Sequence, residues 1–430
     1  MAAQPLVRHD PDALFAQRQG ELVRAGEFLA EVARLAEALP DRRYVINLCT
    51  DRFRFTAGFA AALVRGQISL MPPTHTPDVI ERLVRDYPDL YCLDDDFAAA
   101  DGGRGVPSPA VPAIPEERIA AIVFTSGSTG DPVPHPKSWG ALVATAIAEI
   151  ERLRIRDFPG MAILGTVPPQ HLYGLESTVL LPLQGALVLH GGRPFFPADI
   201  CAELEALPRP RGLVTTPVHL RALLADATAL PSLDFLLSST APLPTPLAVE
   251  AEARLGAPLH EIYGCTEAGL VATRRPSESA EWQLFPHLTM RQDEKGTWVK
   301  GGQAPMEFLL SDVIELQTRG RFLLHGRTAD LVNVAGKRTS LASLNHHLTS
   351  IPGVRDGAFV VPADDPGGVT RLAAFAVAPG LTAETILAAL RQRIDPAFLP
   401  RPLCIVESLP RTETGKLPRA ELDSLVAKVG

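Results

Sequence analysis

Four stretches of the chain combine hydroxyl, glycine and charged residues at spacings that could handle phosphate. The first is FTSGSTGDPVPHPKSWG, residues 124–140, directly after the apolar run IAAIVF. Thr125, Ser126, Gly127, Ser128, Thr129 and Gly130 form a loop dense in hydroxyls and backbone N–H donors. Glycine permits the φ > 0 conformations that turn successive N–H groups inward around phosphate oxygens. A Ser/Gly-rich surface turn would have the same composition. Lys137-Ser138 suggests a Walker A loop, but Pro136 rather than glycine precedes the lysine and the P-loop spacing is broken.

The second stretch, EIYGCTEAG (261–269), closes a predicted strand. Glu267 could help bind Mg²⁺ and Tyr263 could stack on a base; a strand-to-loop turn with a satisfied glutamate fits equally. The third is SDVIEL (311–316) followed by HGRTADLVNVAGKR (325–338). An Asp and an Arg on neighbouring strands can hold two vicinal hydroxyls, since one accepts and the other donates, or they can form a surface ion pair worth little. The fourth, LPRTETGKLPR (409–419), is Pro-flanked and Gly-containing, which predicts an exposed loop. A lysine there is ordinarily solvated. Yet the chain holds only six lysines, at 137, 295, 300, 337, 416 and 428, so one inside a motif is less readily filler.

These stretches need a scaffold. YVINLC (44–49) reads as a buried strand, FTAGFAAALVRG (55–66) as a helix closed by Gly66, and ISLMPP (68–73) as a strand. Further apolar runs at 119–124, 161–168, 186–192, 212–217, 233–239 and 259–264 alternate with helical segments such as 198–206 and 218–226. That alternation predicts an α/β sheet. Apolar spacing over 12–39 predicts amphipathic helices, and 96–117 reads as a surface loop. From about 297 short strands with polar turns predict an antiparallel piece. Strands at 358–361 and 372–377 with helices at 341–349 and 382–394 suggest a small α+β domain. The expected fold is therefore a large N-terminal α/β domain with several sheets, 1–329, and a small mobile C-terminal α+β domain, 330–430.

The bulk properties agree. A chain of 430 residues exceeds what one core usually serves. Net charge −8 excludes the basic footprint of a nucleic-acid binder but not a nucleotide site, which needs only local donors. Five scattered cysteines without C-x-x-C spacing make zinc or a disulfide framework unexpected. The N-terminus lacks a signal-peptide h-region, and windows such as 177–189 are too short and interrupted to span a bilayer. A cytoplasmic protein is expected.

In order and spacing, TSGSTG, YGCTE, the Asp/GR-x-x-D pair and PRTETGK resemble the adenylate-forming superfamily: acyl- and aryl-CoA synthetases, peptide-synthetase adenylation domains and beetle luciferase. The resemblance runs from about residue 44 to 419. It implies ATP-dependent activation of a carboxylic acid with Mg²⁺, then transfer to coenzyme A or to the phosphopantetheine of a separate acyl carrier protein. Residues 125–130 would cradle the ATP phosphates. Tyr263 would lie near adenine, Thr266 near the α-phosphate and Glu267 near Mg²⁺. Asp312 and Arg327 would hold the ribose, Asp330 would be the hinge, and Lys416 would reach the carboxylate and α-phosphate. Rotation about Asp330 would bring the Gly336 loop to the site as a thiol channel. His171 in PPQHLYG (168–174) would line the acyl pocket, or be a plain core or surface histidine. Ser238, Ser239, Thr240 and Ala241 fall where relatives line that pocket or contact adenine, though strand-end packing competes.

Departures from the family pattern are local. The usual G-x-P-K is here G-D-P-V-P-H-P-K, with Val133 at the usual lysine position, leaving open whether Lys137 or His135 takes over. Ala329 replaces a common acidic residue and Asn333 a common lysine. The short N-terminal portion and P-x-P-H-x-K extension resemble the compact AMP-ligases of aryl-polyene and xanthomonadin-type pigment pathways, implying an aryl acid. A catalytically weakened nucleotide-binding scaffold and a luciferase-like oxidoreductase are the competing readings.

Overall fold

A computed structural model describes residues 2–18, 20–99, 110–126, 132–226, 229–327, 331–334, 337–362, 372–412, 415 and 417–427. Among them an eleven-stranded sheet runs in the order Asp312–Leu316, Arg321–Arg327, Trp282–Leu284, Gly269–Arg274, Leu259–Cys265, Phe235–Ser238, Arg211–Thr215, Ala162–Gly165, Val188–His190, Leu14–Arg18, Glu21–Arg24. From Leu14–Arg18 across to Leu259–Cys265 the strands are parallel; those beyond each end pair antiparallel. Strands buried on both faces need apolar side chains throughout, and Ala162–Gly165 and Phe235–Ser238 are buried at every position.

A second sheet orders Leu90–Leu93, Tyr44–Asn47, Ile68–Met71, Ile119–Ser126 and Pro132–Ser138, parallel except for its last pair. The helices Arg52–Val64 and Trp139–Arg152 pack into the core between the sheets. Each begins at a side-chain cap: Asp51 accepts from Arg54 N at 2.9 Å and Ser138 from Ala141 N at 3.3 Å. Leu288–Asp293, Gly296–Gly301 and Ala304–Leu309 form the expected antiparallel piece.

The C-terminal part has its own core. Val332 and Val334, from the hairpin Leu331–Val334 and Lys337–Ser340, pack with Leu344, Leu348, Phe359 and Leu390. Asp356–Val360, Ala373–Val377 and Leu403–Ile405 make its sheet.

Two sequence expectations are corrected. Only Ala25–Ala38 of the 12–39 stretch is helical, because Leu14–Arg18 pairs with Val188–His190 and turns back through Gly20, at φ +83°, to Glu21–Arg24. A backbone ladder with the large sheet outweighs local helical spacing there. The 96–117 stretch is not all loop: Asp95–Ala99 is helical and Ala113–Pro115 pairs with Ala3–Pro5, while 100–109 lie outside the described residues. No helix among the described residues is long and apolar enough to cross a membrane.

Candidate functional site

The strands Ala162–Gly165, Arg211–Thr215, Phe235–Ser238 and Leu259–Cys265 run parallel, so the residues that follow them share one edge of the sheet. Carboxyl ends of parallel strands are where open α/β sheets take ligands. Thr166 and Thr215 hydroxyls lie 2.9 Å apart there, and His219 Nδ1 is 3.1 Å from Thr166 and 3.2 Å from Thr216. The Tyr173 hydroxyl donates to the carbonyls of Thr215 and Leu237 at 3.1 and 3.3 Å. His171 is half-buried at the start of helix Leu172–Leu175. Ser238 is buried, and the Ser239 hydroxyl donates to Ile262 O at 2.9 Å. Thr240 then takes φ +81°, a left-handed conformation costing a β-branched residue about 1–3 kcal/mol. Rigid surroundings retain such strain where a loop must present its neighbours, here Ser239 and Ala241.

The phosphate-loop motif and the YGCTE motif meet directly. The loop's return strand, Pro132–Ser138, lies at the edge of its sheet. Pro132, Pro134 and Pro136 alternate along it, so the nitrogens that cannot donate all face the free edge. Val133, His135 and Lys137 therefore share one face, at increasing depth: Val133 is 44% exposed, His135 half-buried and Lys137 1% exposed. His135 Nε2 lies 3.0 Å from the Thr125 hydroxyl. Burial holds its pKa below the ordinary histidine value, with the Glu267 carboxylate opposing. The Lys137 ammonium donates to the carbonyls of Thr266 and of Glu267, the latter at 3.1 Å. The Lys137 donors are turned into the protein and brace the Thr266–Glu267 turn, while His135 stands beside Thr125. Gly127, Ser128, Thr129 and Gly130 lie outside the described residues, and of Ser126 only its strand placement is described.

Behind Lys137 lies a buried polar cluster that the sequence reading missed. Gln303 Nε2 donates to Glu176 Oε1 at 2.5 Å, and the Ser177 hydroxyl donates to Glu149 Oε1 at 2.9 Å. Burial pushes Glu176 up to about 7, with the Lys137 charge opposing. Burial, with the Glu176 charge second, pushes Glu149 up to about 8. Both values exceed the ordinary 4.5, so the folded chain holds these protons more tightly than the unfolded one. That stabilisation is full below about 4.5 and is lost as pH rises through about 7 and 8. Glu149→Gln keeps an acceptor for Ser177 and removes one titration. Its melting temperature is expected to fall less steeply than wild type between about pH 5 and about pH 8. Equal slopes by calorimetry would exclude Glu149 as the source.

The third motif joins the second through a hydrogen bond. Tyr263 Oη donates to Asp312 Oδ2 at 2.7 Å, and its ring packs near Trp282 and Phe322. Asp312 and Arg327 are register partners on adjacent antiparallel strands, so their backbones lie side by side as expected. Asp330, Ala329, Gly336 and Lys416 lie outside the described residues.

Around Lys416 residues 409–412, 415 and 417 are described, and several are less exposed than the composition predicts. Leu409 is buried, and Leu417 packs on Val360 and Phe375. Gly415, at φ +78°, lies so close to the helix Pro217–Asp226 that a Cβ on it would sit 2.9 Å from Val218 Cγ2. That helix starts just past Thr215 and Thr216, at the edge where the other motifs gather. Arg411, Asp356 and Arg221 also surround this segment and escaped the sequence reading. For Glu176 there was a signal, a lone charge in the apolar run LYGLESTVLLPLQG; for Arg221 and Asp356 there was none.

Glu267 is half-buried at this edge. One carboxylate suits Mg²⁺, which completes its octahedron with phosphate oxygens and water. Among the described residues no group of three or more His, Cys, Asp or Glu could form an all-protein metal cage.

Known proteins resemble this chain in sequence and in fold. Over 305 residues the chain is 32% identical to a 4-coumarate–CoA ligase of Rhodobacter capsulatus, covering 70% of this chain and 75% of that one. Over 329 residues it is 28% identical to a probable 2-succinylbenzoate–CoA ligase of Mycobacterium tuberculosis, covering 71% and 84%. An o-succinylbenzoate CoA synthetase from Bacillus subtilis, solved with an acyl-adenylate intermediate, superposes with TM-score 0.81 at 18% identity over 98% of both chains. That likeness speaks to the fold alone. The AMP-binding enzyme family matches residues 26–291 and the AMP-binding enzyme C-terminal domain matches 345–416. The chain belongs to the AMP-binding enzyme family.

Proposed function

We propose that the chain activates a carboxylic acid, of the aryl class, as an acyl-adenylate with release of pyrophosphate, and passes the acyl group to a thiol. The observation that carries this reading is convergence. Lys137 ties the phosphate-loop strand to Thr266 and Glu267, Tyr263 ties that turn to Asp312, and Gly415 brings the chain next to Lys416 against the helix that follows Thr216. Aryl acids are favoured because the relatives are named for coumarate and succinylbenzoate. Their coenzyme A acceptor supports coenzyme A here, with a carrier-borne phosphopantetheine as the finer alternative.

In this reading the loop 125–130 wraps the triphosphate. Asp312 accepts from one ribose hydroxyl while Arg327 donates to the other, and Tyr263, fixed by its bond to Asp312, flanks the adenine. His171, Ser239, Thr240 and Ala241 border the acid. Mg²⁺ bound at Glu267 would neutralise phosphate charge. Thr266 donates to the α-phosphate, and Lys416 lies between two anions that must approach one another. The division falls near Asp330, with 1–329 binding nucleotide and 330–430 moving.

Acid-dependent exchange of labelled pyrophosphate into ATP, across a panel of aryl and aliphatic acids, tests the first step. Thioester formation with coenzyme A or with a phosphopantetheinylated carrier protein tests the second. Nucleotide binding without exchange for any acid would favour the scaffold reading.

A further inference from the structure

Among the described residues an ionic link between the two lobes, Arg221 with Asp356, lies beside Arg411 and Gly415. Asp356 opens the strand Asp356–Val360, and Arg411 grips both its oxygens, Nε to Oδ2 at 2.7 Å and Nη2 to Oδ1 at 2.8 Å. Such a two-point fork fixes orientation as well as distance. The third arm of the same guanidinium, Nη1, donates to Gly415 O at 2.9 Å, and Gly415 N donates to Thr412 O at 2.8 Å. Arg411 and Gly415 are thereby held to Asp356.

Asp356 also faces the other lobe. Arg221 Nη1 lies 3.6 Å from Asp356 Oδ1, with side-chain exposures of 25% and 17%. Arg221 sits on the helix Pro217–Asp226, three residues after Val218, the residue against which Gly415 rests. Residues three apart share a helix face, so one face of one helix meets the motif twice, by shape at Val218 and by charge at Arg221. Among the described residues Arg221 has no other ion pair. A guanidinium this sheltered, whose carboxylate belongs to the opposite lobe, is paired only in this arrangement of the lobes.

We propose that Arg221 is a positioning residue: through Asp356 and Arg411 it selects the lobe arrangement that presents residue 416 to the nucleotide cleft, and it takes no part in thiol transfer. The inference rests on the ligase reading above. In a two-step enzyme whose small lobe must move between steps, removing a contact made in only one arrangement slows the step performed there and spares the other.

The test separates the half-reactions in the full-length protein. Arg221→Met keeps the volume and removes the charge; Arg221→Lys keeps the charge. For an acid on which wild type is active, Arg221→Met is expected to lower the pyrophosphate-exchange kcat roughly tenfold with KM for ATP unchanged. Arg221→Lys should recover most of that loss. Thioester formation from chemically supplied acyl-adenylate should run at the wild-type rate or faster in both variants. Asp356→Asn, which reaches the same link from the other lobe, should reproduce the split. A parallel fall in both half-reactions, or no fall in exchange, would overturn the proposal. Absence of exchange in the wild type across the acid panel would instead sink the ligase reading beneath it.

Discussion

The Lys416→Ala protein is expected to bind ATP and lose acid-dependent pyrophosphate exchange by about 10²–10³-fold, the loss typical of removing one donor aimed at a transition-state charge. The first step asks a carboxylate to attack a phosphate. Two unit charges about 4 Å apart repel by roughly 4 kcal/mol at the effective dielectric of a protein surface, before the extra charge on the pentavalent centre is counted. A cation arriving from the other lobe at that moment lowers the transition state more than the separated reactants. The described neighbours of residue 416 suit this delivery. Gly415 leaves no room for a side chain against Val218, and Arg411 holds its carbonyl. Coenzyme A acylation from supplied acyl-adenylate should survive the substitution. Exchange within a few fold of wild type would remove Lys416 from the chemistry.

Why the motifs were legible and their wiring was not follows from sequence distance. Glycines, hydroxyls and a rare lysine declare themselves within a few residues, and uninterrupted apolar runs such as those ending at Gly165 and Ser238 mark doubly buried strands. The pair Arg221–Asp356 joins residues 135 positions apart (356 − 221), and neither has a distinctive local setting. Lys137 was visible, but its depth was not. The prolines around it cost no ladder bond on an edge strand, and a strand's alternation turns every second side chain inward. The hairpin Leu14–Arg18 and Glu21–Arg24 escaped for the converse reason: its pairing partner, Val188–His190, lies far along the chain, and local spacing resembled a helix.

The same depth makes Lys137→Met the second large effect. Methionine fills the space of the side chain and supplies no donor, so the Thr266 and Glu267 carbonyls lose their ammonium and Glu176 loses its opposing charge. Breaking one partner from a buried, hydrogen-bonded ionic cluster costs about 3–5 kcal/mol. Partial exposure of the Thr266–Glu267 turn and protonation of Glu176 bring the expected loss here to about 2–4 kcal/mol. Without Lys137 the Glu176 carboxyl rises further above its wild-type value near 7, so the alkaline fall in melting temperature should shift to higher pH. On the proposed assignment of Glu267 and Thr266 to the metal and the phosphate, chemistry suffers separately, because a turn free to shift carries them out of place; exchange kcat should drop even at temperatures where the protein is fully folded. Melting profiles across pH, set beside exchange kinetics, distinguish the two effects. A Lys137→Met protein as stable as wild type would mean that the ammonium's burial costs as much as its bonds return. A stable, fully active one would show that the turn holds its place without the brace.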